Sequence, residues 1–147
     1  MAHDYRIQLA ARPTDRVIQG TARGEVARMD AVCFPHDDPV DLAGTWWWIV
    51  WRGKLAVGYA GMRPQGYGVT YLCRAGVLPE HRGRNLQAKL IGARVRYARR
   101  QGLKTAITDT VSWNFSSANN LIRSGFTLYW PEWRWAGDDK LYWWLSL

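Results

Sequence analysis

VLPEHRGRNLQAKLI, Val77 to Ile91, reads as the end of a strand, a basic turn rich in backbone donors, and the start of a helix. A strand that feeds directly into a helix leaves the unpaired amides of the first helical turn, and the positive end of the helix dipole, pointing out of the end of a sheet. Oxygen-rich anions fit such a place. Arg82 and Arg84 add charge-assisted donors, and Gly83 lets the backbone approach closely. Two positions where a small residue would open the turn carry Asn85 and Gln87. A left-handed residue other than glycine costs roughly 1–2 kcal/mol, less for asparagine, so Asn85 weakens an anion grip modestly at most. Gln87 is long but flexible, and its amide can donate to a ligand. On spacing alone, an ordinary basic helix start explains the same residues.

Around this turn the chain alternates between two periodicities. Tyr5 to Leu9 (YRIQL) has period two and predicts a first strand. Pro13-Thr14-Asp15 offers a helix-capping signal, and Val17, Ile18, Ala22, Val26, Met29, Val32 and Cys33 follow at near-helical spacing, interrupted by Gly20 and Gly24, which predicts two short helices. Phe34 to Gly44, with two prolines and three aspartates, is a loop. Thr45 to Arg52, Leu55 to Arg63 and Val69 to Val77 are rich in β-branched and aromatic residues and predict three antiparallel strands. Asn85 to Gln101 is a helix with Leu86, Leu90, Ile91, Val95, Tyr97 and Ala98 on one side, stopped by Gly102. Thr105 to Thr110 is the next strand, Ser116 to Ser124 another helix, and Phe126 to Trp130 and Leu141 to Leu147 two more strands. A strand, helix and strand crossover around the basic helix sets its two strands side by side and parallel. The result is an α+β or α/β layout of about seven strands, mixed and mostly antiparallel, flanked by about four helices.

At 147 residues the chain suits one domain, residues 1–147. Its net charge is +8, and Arg82 to Lys104 alone holds eight basic residues and no acidic one. Such a segment is either the solvated face of an amphipathic helix or a contact for a phosphate-bearing cofactor or a nucleic acid. The longest apolar run, Trp46 to Trp51, is far short of a membrane span, and MAHDYRIQ lacks the apolar stretch of a signal peptide; a cytoplasmic protein without membrane contact is expected. Cys33 and Cys73 lie in apolar surroundings at no metal-ligand spacing and read as buried reduced thiols; with His3, His36 and His81 scattered, no metal is expected.

The placement of Pro79-Glu80-His81-Arg82-Gly83-Arg84, after the fourth strand and before the basic helix, resembles the acetyl-CoA loop of the GNAT superfamily of N-acetyltransferases. The superfamily pattern, Arg/Gln-x-x-Gly-x-Gly/Ala, starts here at Arg82, with Asn85 at the first glycine and Gln87 at the small residue. NFSSANNLIRSGF, Asn114 to Phe126, is similar to a second superfamily segment, Asn-x-x-Ala-x-x-Leu-Tyr-x-Lys-x-Gly-Phe, matching at Asn114, Gly125 and Phe126, with Ser117 for alanine and Arg123 for lysine. The resemblance implies a GNAT-like sheet with its parallel pair around the cofactor. It also implies acetyl-CoA as cosubstrate, held by Val77, Leu78, Arg82, Gly83, Arg84, Asn85, Leu86, Gln87, Asn114 and Ser117. The activity it implies is transfer of acetyl to a primary amine by direct attack in a ternary complex.

A lysine-like amine is almost wholly protonated at neutral pH, so a base must take its proton, and a backbone N–H near Val77 and Leu78 would polarise the acetyl carbonyl. Asp109, at the end of the fifth strand, is the candidate base, since a branch of the superfamily carries a glutamate there; a strand-end aspartate in a turn or ion pair is the competing account. Glu80 and His81 are expected to face solvent. The superfamily's thiolate-protonating tyrosine falls at Leu121, which leaves Ser116 or Ser117 acting through water, or no acid at all. Asn114 is expected on the pantetheine arm or an ordered water, or as the cap of the following helix.

Ten tryptophans are clustered at Trp46-Trp47-Trp48, Trp51, Trp130, Trp133, Trp135, Trp143 and Trp144, among others. Trp46 and Trp48 share one strand face and Trp47 takes the other, so both faces can be core only if helices cover both. By the resemblance, the acceptor lies near Phe34 to Gly44 and Pro131 to Lys140, where Asp37, Asp38, Asp41, Trp133, Trp135, Asp138 and Asp139 suit a cationic amine. Core and homodimer-interface packing is the other use of these aromatics. Nucleic-acid binding by the basic helix is disfavoured, because the tryptophans lie elsewhere in sequence; a non-catalytic relative of the fold remains as the third reading.

Overall fold

The computed structural model describes residues 4–15 and 20–147. Seven strands form one sheet: β1 (Tyr5–Ala11), β2 (Trp46–Arg52), β3 (Leu55–Gly66), β4 (Val69–Val77), β5 (Thr105–Val111), β6 (Thr127–Tyr129) and β7 (Lys140–Ser146), in the order β1-β2-β3-β4-β5-β7-β6. Three α-helices are described, α1 (Gly20–Cys33), α2 (Leu86–Arg100) and α3 (Phe115–Arg123), with a 3-10 turn at Pro79–His81. All pairs are antiparallel except β4 with β5, the two strands joined through α2.

Two expectations change. Gly24 lies inside α1 with open space around its α-carbon, so it does not split the helix; the other predicted helical positions, Val17 and Ile18, fall outside the described residues. β3 continues past Arg63 through Pro64 to Gly66, with a register shift at Pro64, the kind of irregularity that admits proline to a strand. The β3–β4 turn thereby shrinks to Tyr67-Gly68, both at positive φ, the geometry a tight hairpin needs.

The tryptophan run is explained by the layers. Trp48 and Val50 face the α2 and α3 side, where Trp46 and Trp48 meet the Tyr97 ring edge-on at 5.8 and 5.4 Å. Trp47 and Ile49 face the opposite side and pack with Val26, Met29 and Tyr59 under α1. Helices on both faces make both faces core.

α2 buries Leu86, Leu90, Ile91, Arg94, Val95 and Ala98 against the sheet. Arg94 is the exception in that row, a guanidinium with 3% exposure. Its Nη1 donates to the carbonyls of Gly61 (3.0 Å) and Cys73 (3.4 Å) and its Nε to Leu90 (3.1 Å). Those first two carbonyls flank a β-bulge, since Ala60 pairs with Ala75 but Met62 pairs with Leu72, leaving Cys73 and Arg74 opposite Gly61. A bulge bends its strand and re-aims the residues beyond it. Here the pairing of β4 with β5 stops short of it, at Tyr71.

Candidate active site between the parted strands

β4 and β5 pair only at Val69–Tyr71 with Thr105–Ile107. Beyond that, the Thr108 hydroxyl reaches the Leu72 carbonyl (2.7 Å), and then the strands separate. The gap holds two adjoining cavities. One, of about 610 Å³, is lined by Ala75, Gly76 and Val77 of β4, Arg82, Gly83, Asn85, Leu86 and Gln87 at the start of α2, and Asn114, Ser117 and Asn120 of α3 and its cap. The other, of about 320 Å³, adjoins it along β4 and β5 and is lined by Tyr71, Arg74, Arg94, Asp109 and Lys140, with others. Phe34, Ala75, Gln87, Asn114, Ser117 and Asn120 border both and mark their junction.

The mouth of the larger cavity is an anion cradle. Gly83 (φ 77°) and Asn85 (φ 62°) are both left-handed, and Asn85 caps α2 without any side-chain capping bond, which leaves the first-turn amides to a ligand. The αL demand at Asn85 is met by a residue that tolerates it. Arg82 leans inward, its Nε on the Val77 carbonyl (2.8 Å). Burial raises the Cys33 thiol, and Arg82 beside it partly offsets the rise. Arg84 folds back onto the carbonyls of Glu80 (3.0 Å) and Arg82 (3.5 Å) and is absent from the cavity wall.

Along β4, successive amides point to opposite edges. The Leu78 N–H bonds the Val57 carbonyl (2.8 Å), so it is already engaged, while the Val77 and Ala75 amides face the open side. Of the two amides expected to polarise a carbonyl, that of Leu78 is thus engaged and that of Val77 is open, as is that of Ala75 at the junction.

In the smaller cavity Tyr71 donates to Asp109 Oδ1 at 2.5 Å. Its ring meets Trp135 edge-on (5.3 Å), and Trp135 meets Tyr142 (5.0 Å), so an aromatic floor underlies the carboxylate. On the same side of the sheet, the Asp30 carboxylate, 4% exposed, accepts from Tyr59 (2.5 Å), from Arg74 Nη1 (3.0 Å) and from the Val40 amide (3.3 Å). Arg74 also reaches the Asp38 carbonyl (3.2 Å), approaches Asp37 (3.9 Å) and lies over the Phe34 ring (4.9 Å). Asp30 and Arg74 thus fasten the loop after α1 to the bulge.

Burial, and then the carboxylate beside each hydroxyl, raise Tyr71 and Tyr59 above the ordinary phenol value. In the window above about pH 10 the unfolded chain loses these protons first, so their contribution to stability is full below that pH and falls as pH rises. Of the seven tyrosines, a phenolate absorbance titration should find at least two that ionise only as the protein unfolds; full titration of all seven in the folded state would contradict the two buried pairs.

The structure brings Val77, Arg82, Gly83, Asn85, Leu86, Gln87, Asn114 and Ser117 to one cavity and Asp109 to the next. Asn114 caps α3, its Oδ1 accepting from the Ser117 amide at 3.1 Å. His81 is a correction: the 3-10 turn points it inward, 8% exposed, with Nδ1 3.0 Å from the Tyr5 hydroxyl. The cysteines are free but only partly buried, Cys33 beside the larger cavity and Cys73 beside the smaller. Leu121 is core, 5% exposed. Sequence reasoning missed Ala75, Asn120 and Tyr71. Asn120 had a readable signal, since it stands three residues after Ser117 on the same helix face. Of the expected acceptor-side residues, Asp37 reaches the smaller cavity, Trp135 packs behind it, Trp133 is 76% exposed, Asp138 pairs with Arg134, and Asp41 binds the Ala43 amide. Among the described residues no group of three His, Cys, Asp or Glu side chains gathers at metal-binding distance, and no helix is long and apolar enough to cross a membrane.

A mixed sheet parted at its parallel pair, with an anion cradle at the mouth of the gap, is the architecture of an acetyltransferase. The chain belongs to the acetyltransferase (GNAT) family, whose family model matches residues 20–126. Its fold is similar to that of a Bacillus subtilis acetyltransferase solved in complex with CoA (16% identity, 98% of this chain and 99% of that one, TM-score 0.74). An Elizabethkingia anophelis GNAT acetyltransferase with acetyl-CoA bound (12% identity, 97% and 98%, TM-score 0.74) is similar too. So is an IAA acetyltransferase from Bacillus cereus (13% identity, 98% and 100%, TM-score 0.74). No curated protein matches the chain.

Proposed function

We propose that residues 1–147 form one N-acetyltransferase domain that holds acetyl-CoA in the gap between β4 and β5 and passes its acetyl group directly to a primary amine in a ternary complex. The observation that carries this reading is the junction of two cavities, one opening on the anion cradle and the other on Asp109. The first-turn amides of α2, with Arg82, suit a pyrophosphate, and the outward β4 amides of Ala75 and Val77 suit an extended amide-bearing arm. When bound, acetyl-CoA supplies an activated acetyl thioester and a thiolate leaving group.

Asp109 accepts the amine proton, directly or through a water; Tyr71, kept protonated by burial, fixes one carboxylate oxygen and leaves Oδ2 for the work. The Ala75 amide is placed to polarise the acetyl carbonyl. As the C–N bond forms and the C–S bond breaks, the sulfur is left among Gln87, Asn114, Ser117 and Asn120, all neutral donors, and takes its proton from solvent. No titratable acid is required, which accounts for the tolerance of Leu121. With a CoA thioester as cosubstrate and free thiols at Cys33 and Cys73, we place the activity in the cytoplasm.

The test is release of free thiol from acetyl-CoA on addition of a panel of primary amines. Amine-dependent release supports the reading. Tight acetyl-CoA binding with no release from any amine would make the chain a non-catalytic member of its family.

A further inference from the structure

We propose that the acceptor is a zwitterion, a primary amine with a carboxylate a few bonds away, as in an amino acid. The inference rests on the acetyl-transfer reading and names the substrate class of the smaller cavity. That cavity, about 320 Å³, has room for a small molecule or one side chain.

Its charges are arranged unevenly. Arg74 is matched by Asp30 at 3.0 Å and Asp37 at 3.9 Å. Arg94 bonds only to carbonyl oxygens and has no carboxylate partner among the described residues. Lys140, half-buried at the start of β7, forms no salt bridge among the described residues. Asp109, whose partner is the Tyr71 hydroxyl, forms no salt bridge among the described residues either, so the cavity wall carries one anion and one cation, Asp109 and Lys140, that no ion pair neutralises, and a ligand with both an ammonium and a carboxylate matches the two.

The register sets the spacing. Lys140 stands opposite Val111, and Asp109 opposite Tyr142, so Lys140 and Asp109 are diagonal neighbours on one face of the β5–β7 ladder. Such pairs have backbones roughly 7–8 Å apart, near enough to share one small ligand. Both side chains line the cavity, and no ion pair joins them directly. An ammonium at Asp109 and a carboxylate at Lys140 would complete the pattern. A diamine would instead place a second cation next to Lys140.

The full chain, saturated with acetyl-CoA or CoA, is to be titrated calorimetrically with common α-amino acids, their carboxamides and putrescine, and assayed for thiol release with each. At least one amino acid should bind about tenfold or more tightly than its carboxamide. Lys140→Gln should abolish that difference, and Lys140→Arg should restore it. Equal affinity for the carboxamide, or preference for putrescine, with acetyl transfer intact, would overturn the zwitterion while leaving the transferase standing. Neither binding nor thiol release with any amine would overturn both.

Discussion

Asp109→Asn is expected to lower kcat about 10²–10⁴-fold, the range that a positioned general base contributes, with acetyl-CoA affinity nearly unchanged. The separation of effects comes from the architecture. Asparagine keeps an oxygen for the Tyr71 hydroxyl, so the 2.5 Å contact and the aromatic floor under it have no reason to collapse. Asp109 lines the smaller cavity and not the one that opens on the cradle, so the cofactor grip is untouched. What disappears is the proposed acceptor of the amine proton. Steady-state rates of thiol release, with acetyl-CoA titrated separately, give the two numbers. Undiminished turnover would leave Asp109 as a structural partner of Tyr71 and move the base elsewhere.

A loss in stability of about 1–3 kcal/mol is expected of Asp30→Ala, because removing a buried carboxylate leaves the buried donor that bonds it without its acceptor. Asp30 is 5% exposed on its side chain, while Arg74, 25% exposed, keeps Asp37 and the Asp38 carbonyl and loses only its nearest anion. The Tyr59 hydroxyl, inside the core beneath α1, loses its acceptor in the same step. Urea unfolding of the variant should show the loss. Asp30→Asn, which keeps one acceptor, should lose less. A change under about 1 kcal/mol for alanine, the range of ordinary surface pairs, would mean that the network between α1, β3 and the bulge of β4 is not the anchor of the acceptor-side loop.

Much of the fold and the cradle was legible from residues close together in sequence. The left-handed Asn85, the alternation of Trp46, Trp47 and Trp48, the stop at Gly102 and the crossover that makes β4 and β5 parallel are local patterns, and the structure shows each of them. Less was legible where contacts join distant positions. Tyr71 meets Asp109 across 38 residues, Arg74 meets Asp30 across 44, and Tyr5 meets His81 across 76; none leaves a periodic trace. His81 read as solvent-facing because a basic turn usually is, and the 3-10 turn that points it inward is only three residues long. Leu78 looked as free as Val77 because the register that engages its amide with Val57 is a property of the β3–β4 pair, not of either strand. The bulge at Cys73-Arg74 escaped for the same reason, although the buried Arg94 that clasps it is conspicuous in the sequence as a cation on an apolar helix face.

The most direct measurement is calorimetric titration of the purified chain with acetyl-CoA, beside Arg82→Ala and, as a control on the exposed face of α2, Arg99→Ala. The cradle of Gly83, Asn85 and the first turn of α2 predicts one site of micromolar affinity, weakened about tenfold by Arg82→Ala and little by Arg99→Ala. No binding, or equal loss in both variants, would contradict the assignment of the parted strands to acetyl-CoA.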